Sequence, residues 1–229
     1  MGESHGQAMR VADGPRPAGH VVLLGDSIFD NKAYVGEDPG VIMQLREELP
    51  PGWKATMLAL DGDVIAGVRR QLRLLPEDAT HLVVSVGGND ALGFAHLLQM
   101  PAGDVTEALN ILAAAQDDFA AGYQAMAQAV ASTGLPSAVC TIYDTPSTGP
   151  GYRTIRTALA IFNDCITRAA FGLGISLIDL RLICGEDGDY ANPIEPSALG
   201  GAKIARAIAF LVKQRHQADR TEVIAAPPS

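Results

Sequence analysis

The sequence predicts a doubly wound α/β domain, and three observations carry that prediction. Five short apolar runs, at residues 20–25, 55–60, 81–86, 137–142 and 175–180, are nearly continuous in Val, Leu and Ile rather than alternating. Strands covered on both faces have this composition, as in a parallel sheet. The segments between the runs carry helical periodicity, so strand and helix alternate along the chain. That order implies parallel strands joined by right-handed crossovers. Finally, 229 residues, 48% of them hydrophobic, suit one sizeable core better than two full domains.

The helical segments follow in order. Ile65, Val68, Leu72 and Leu75 share a face. Leu112, Phe119, Tyr123, Met126 and Val130 share another, and Asp104 with Glu107 three residues on is a start signal of capping-box type. Ile155, Leu159, Phe162 and Ile166 form a third stripe, and Ile204, Ile208 and Leu211 a fourth, for which Ser197 is the expected N-cap. These stripes are read as packing faces. Two loops are long: 144–153 is rich in Gly and Pro, and 181–196 in acidic residues. Residues 1–19 are expected as a mobile leading segment, 20–215 as the single domain, and 216–229 as a mobile tail.

Charge and composition exclude several functions. A net charge of −9 repels phosphate backbones, so nucleic acid is not expected as a partner. There is no apolar stretch of signal-peptide or membrane-spanning length, so no membrane partner and a cytoplasmic location are expected. Cys140, Cys165 and Cys184 have neither zinc-ligand spacing nor the pattern of a disulfide framework, and are read as reduced, buried thiols. No metal and no cofactor are expected.

In a doubly wound sheet, ligands bind outside the C-terminal strand ends, where the strand order reverses. The residues after the strands are therefore the informative ones. The first run is followed by Asp26-Ser27-Ile28, the second by Asp61-Gly62-Asp63 and the third by Gly87-Gly88-Asn89-Asp90. Each alone is compatible with an ordinary turn. Together they bring a serine hydroxyl, an unshielded glycine N–H and an asparagine amide to one sheet edge, which is a nucleophile with oxyanion donors. Asp26, Asp30, Asp61 and Asp63 are expected to hold these loops through side-chain-to-backbone hydrogen bonds.

The segments GDSIFDN, ALDGD and GGND resemble, in order and spacing, the first three sequence blocks of the GDSL/SGNH hydrolases. The resemblance covers residues 20–210. It implies a three-layer α/β/α sandwich with a five-stranded parallel sheet of the flavodoxin-like type. It also implies a serine esterase in which Ser27 is the nucleophile, while Ser27, Gly62 and Asn89 form the oxyanion hole.

The chain departs from the family at the last block, where an Asp, two residues and a His are the pattern. Here Asn192 stands for the Asp and Glu195 for the His. A glutamate base has no ring N–H to give, so an aspartate beside it would only repel it. An asparagine amide could donate to it instead. The expected catalytic set is therefore Ser27 and Glu195, with Asn192 donating to one carboxylate oxygen and the other left for Ser27. Of the histidines, His20 and His81 open strands at the opposite edge, His5 and His216 lie in the terminal segments, and only His96 follows a crevice loop. Burial against Ile194 and Pro196 would raise the pKa of Glu195 and the following helix N-terminus would lower it. The sequence leaves the direction open. Asp187 and Asp189 are expected to face water.

The expected function is a carboxylic ester hydrolase acting on a small-molecule acyl ester of small or medium size. The alternatives are a binding module that has lost its base, or a thioesterase, deacetylase or acyltransferase of the same fold. Leu92, Phe94, Leu97, Leu98 and Met100 line either an acyl site or the core.

Overall fold

Four of the five apolar runs form strands of four to six residues and the last a shorter one: β1 (His20–Gly25), β2 (Lys54–Met57), β3 (His81–Ser85), β4 (Ser137–Cys140) and β5 (Ser176–Ile178). They are seen in a computed structural model that describes residues 19–214 and 221–225. Between and after them lie α1 (Val41–Glu48), α2 (Val68–Leu72), α3 (Gly88–Gly93), α4 (Val105–Ala131), α5 (Tyr152–Leu173), α6 (Leu180–Ile183) and α7 (Ala198–Lys213). A small antiparallel pair, β6 (Tyr190–Asn192) and β7 (Glu195–Pro196), precedes α7.

The strands of the main sheet are parallel, in the order β2-β1-β3-β4-β5, and a further strand, β8 (Val223–Ile224), is added beyond β5. Among the described residues the sheet therefore has six strands rather than the expected five. Leu177 pairs with Val223 and Ile178 with Ile224, and Ile224 is buried. The open edge of β5 offers unpaired backbone groups, which this short apolar dipeptide satisfies. Part of the segment expected as a mobile tail is thus an edge strand. The leading segment, save the buried Gly19, lies outside the described residues, as do His5 and His216.

Successive β1 side chains point to opposite faces. Val21 and Leu23 join the core packed under α1 and α7, while Val22 and Leu24 join the core packed under α2, α4 and α5. The result is the three-layer sandwich. The two helix caps foreseen are both formed: Asp104 accepts from the N–H of Glu107 at 2.8 Å, and Ser197 from that of Gly200 at 3.2 Å. The chain leaves β1 toward β2 and returns on the other side as β3. The order reverses there, so the C-terminal ends of β1 and β3 open the crevice.

Candidate active site

The turn after β1 is built around a glycine. Gly25 has φ +124°, and a Cβ placed on it would lie 1.8 Å from the Ser85 carbonyl oxygen of β3. Only glycine allows that approach. The N–H of Asp26 then donates to the same oxygen at 3.0 Å. Gln71 of α2 clamps the turn from the other side. Its Oε1 accepts from Gly25 N–H at 2.7 Å, and its Nε2 donates to Gly25 O at 2.8 Å and to Asp63 Oδ2 at 2.7 Å. Gln71 was not singled out in the sequence, although a glutamine one turn on from Val68, on an apolar helix face, was its signal.

Ser27 is buried at the tip of this turn, and its hydroxyl donates to Glu195 Oε1 at 3.0 Å. Glu195 is only 4% exposed, and its Oε2 is buried without a hydrogen-bond partner among the described residues. Three side chains fix the backbone on which it sits. Asn192 Oδ1 accepts from the N–H groups of Ile194 and Glu195 at 2.9 and 3.0 Å. Tyr143 donates its hydroxyl to Ile194 O at 2.9 Å and packs edge-on against Tyr190. Asn31, wholly buried, donates to Pro196 O at 3.2 Å and accepts from Val41 N–H at 2.9 Å. The expected contact from the Asn192 amide to the carboxylate is not made. Asn192 forms an Asx turn instead, because two orphan N–H groups of the tight hairpin need its oxygen.

Electrostatics follow from burial. Desolvation pushes the Glu195 carboxyl up from 4.5 to about 7, the Ser27 hydroxyl draws it down, and the charge of Asp61 adds to the rise. Asp26 is pushed up to about 8, again by burial first; the N–H of Ile28 opposes this, and the charges of Glu195 and Asp90 add to it. Burial thus disfavours the charged form of both carboxyls, of Asp26 more than of Glu195.

The loops after β2 and β3 are tied together. Asn89 Nδ2 donates to Asp63 O at 2.8 Å, and Asp90 Oδ2 accepts from Ile65 N–H at 3.0 Å. Gly62 has φ +77°, and a Cβ there would meet nothing within 4 Å. The backbone N–H groups of Ser27 and Gly62 find no acceptor among the described residues. Asp26, Asp30 and Asp63 accept from the N–H groups of Ile28, Asp61 and Val64, as loop-holding aspartates do. Asp61 instead accepts from the Tyr34 hydroxyl at 2.8 Å.

Ser27, Asn89 and Glu195 share the wall of one cavity of about 220 Å³. Gly62 is on the loop bound to Asn89 and is not part of that wall. Nor is His96, an exposed residue whose Nδ1 lies 3.0 Å from Gly93 O. His20 and His81 open β1 and β3, at the other end of the sheet. Leu92, Phe94 and Leu98 line the cavity, whereas Leu97 and Met100 do not. The opposite wall comes from α4 and α5 and was missed in the sequence, where its residues read as core. Asp187 is exposed but accepts from Ser147 N–H at 2.8 Å, joining the two long loops. Asp189 does not face water: it is buried, 2.7 Å from Lys203 Nζ. The three cysteines are free and buried.

No helix of the described residues is long and apolar enough to cross a membrane. Solved structures share the fold. An acetyl xylan esterase, AlAXEase, is 20% identical over 81% of this chain and 96% of its own, with a TM-score of 0.61. An extracellular lipase from Streptomyces rimosus is 18% identical over 81% of this chain and 95% of its own, with a TM-score of 0.57. A lipase/acylhydrolase from Enterococcus faecalis is 16% identical over 87% of this chain and 99% of its own, with a TM-score of 0.55. No curated protein matches the sequence. The model of the GDSL-like lipase/acylhydrolase family matches residues 23–202, from within β1 into α7 and across every residue of the site, so the chain belongs to that family.

Proposed function

We propose that the protein is a carboxylic ester hydrolase that works through an acyl-serine intermediate, with Ser27 as nucleophile and Glu195 as general base. The observation that carries this reading is the 3.0 Å hydrogen bond from Ser27 Oγ to a buried glutamate carboxylate. A buried carboxylate oxygen without a partner costs stability, a cost that a packing residue would not incur. Its retention against the nucleophile favours a working base over a binding module whose base has been lost.

The reaction follows from the geometry. Ser27 Oγ bonds to the ester carbonyl carbon while its proton passes to Glu195. The N–H groups of Ser27 and Gly62 and the free amide N–H of Asn89 receive the oxyanion. The C–O bond to the alcohol breaks, and protonated Glu195 returns the proton to the leaving oxygen. Water then attacks the acyl-serine, gives its proton to Glu195, and Ser27 Oγ takes that proton back as the acid leaves. A base of pKa about 7 suits this traffic near neutral pH. Asn192 acts as a positioning residue through the hairpin backbone. The substrate is a small-molecule acyl ester.

The test is hydrolysis of p-nitrophenyl esters at pH 8 by the wild type, Ser27→Ala and Glu195→Gln. Each variant is expected to lose kcat by about 10³-fold or more, since members of such a pair act as a unit. Activity surviving in Glu195→Gln would remove Glu195 from the base role.

A further inference from the structure

We infer that the cavity beside Ser27 is an acyl-chain pocket that selects straight chains of about six to eight carbons. This rests on the acyl-serine reading above. The cavity wall is mostly apolar, with a few polar groups set into it. Ser27, Asn89 and Glu195 supply polar groups to its wall, and Leu92, Leu112 and Ile155 supply apolar ones, with Phe94 and Phe162 stacked 5.8 Å apart. Phe162 is also tilted against Phe119 at 4.9 Å, so this aromatic part of the wall is itself packed from behind. Space exists because Ala115 of α4 and Ala158 of α5 put only methyl groups into the wall.

Size sets the chain length. An apolar cavity of about 150 Å³ accommodates benzene, six heavy atoms. In proportion, the 220 Å³ here holds about eight or nine, the carbonyl included. The pocket suits the acyl rather than the alcohol half of the ester. The alcohol must leave for water to enter, and it must do so past Glu195, which protonates it. The acyl group is held through both steps, so an apolar recess beside Ser27 serves that half. Each methylene entering the recess should raise kcat/KM about three- to fourfold. From acetyl to octanoyl the gain should exceed about 100-fold, then reverse for longer chains that meet the phenylalanines.

The experiment is kcat/KM for p-nitrophenyl esters from acetate to palmitate, alongside acetates of alcohols of increasing length. The expected result is a maximum at hexanoate or octanoate and little dependence on the alcohol. Ala158→Phe should lower the octanoate-to-acetate ratio at least tenfold, and Leu112→Ala should move the maximum to longer acyl chains. The ratio is internal to each protein, so a folding defect, which lowers both rates, does not imitate it. Best activity on acetate, a profile that follows the alcohol, or an unchanged ratio in Ala158→Phe overturns the proposal. Calorimetric titration with octanamide and acetamide separates it from the catalytic reading. If no ester is hydrolysed yet octanamide binds at least tenfold tighter than acetamide and Ala158→Phe abolishes the difference, the pocket stands and the hydrolase reading falls. If octanamide shows no such advantage, the pocket falls.

Discussion

The turn that carries Ser27 and the hairpin that carries Glu195 meet at one hydrogen bond, but they are held by opposite means. Residues 25–31 grow directly out of β1, and their path is dictated by sterics: Gly25 lies against the Ser85 carbonyl in a conformation closed to other residues. Residues 192–197 belong to no strand of the main sheet. They are suspended by hydrogen bonds from Asn192, Tyr143 and Asn31, the last two reaching 51 and 165 positions along the chain. Each of these bonds ends on a backbone atom. These bonds hold the hairpin without calling on the side chain at position 195, which leaves that carboxylate available to Ser27.

The largest expected effect lies on the steric side. Gly25→Ala would drive a Cβ to 1.8 Å from a backbone oxygen, with no flexible side chain to yield, and would add the strain of φ +124°. A loss of stability of about 4 kcal/mol or more is expected, read as a fall in the urea midpoint. A folded variant of near-wild-type stability would break the comparison, because the turn would then be as adaptable as the hairpin.

The same contrast explains what the sequence made legible. The strands, the N-caps at Asp104 and Ser197, and the three loops after β1, β2 and β3 are local patterns, written in consecutive residues. Glu195 was legible because it replaced an expected residue at a fixed spacing. The role of Asn192 was misjudged because its side chain serves backbone groups two and three residues ahead, and a hydrogen-bond count for a hairpin needs the hairpin first. Gln71, Asn31 and Tyr143 act across long sequence separations. The cavity wall of α4 and α5 looked like core because Leu112, Ile155 and Phe162 follow the same periodicity whether the space beside them is filled or open. The strand Val223–Ile224 is two residues long, shorter than any periodicity can register.

A middle-sized effect concerns charge. In the proposed mechanism Glu195 must be ionised to take the serine proton, and burial holds its carboxyl at about 7. kcat/KM should therefore rise with pH through a limb near 7 and fall about tenfold per unit below it. An imidazole could give a similar limb, since its ordinary value is about 6.5. Temperature distinguishes them: a carboxyl limb barely moves on warming, whereas an imidazole limb slides to lower pH. A sliding limb would return attention to His96 and break the pairing of turn and hairpin.

The smallest effect tests how the hairpin itself is held. Asn192 contributes an oxygen, and Asp at that position keeps an acceptor for the N–H groups of Ile194 and Glu195. Asn192→Ala leaves both donors without it, at a cost of about 1–2 kcal/mol in stability and a severalfold fall in kcat with little change in KM. Asn192→Asp should cost less of both when measured well above the limb, at pH 9. It should also move the limb upward, because a second negative charge beside Glu195 disfavours its ionised form. If an amide donor were what mattered, the order would reverse, with Asp the worse replacement through repulsion added to a lost donor. A pH 9 comparison in which Asn192→Ala outperforms Asn192→Asp would therefore overturn the Asx-turn role and restore direct support of the carboxylate. The opposite order would establish that this site orients its base through the peptide backbone, where a Ser-His-Asp site orients it through a side-chain carboxylate.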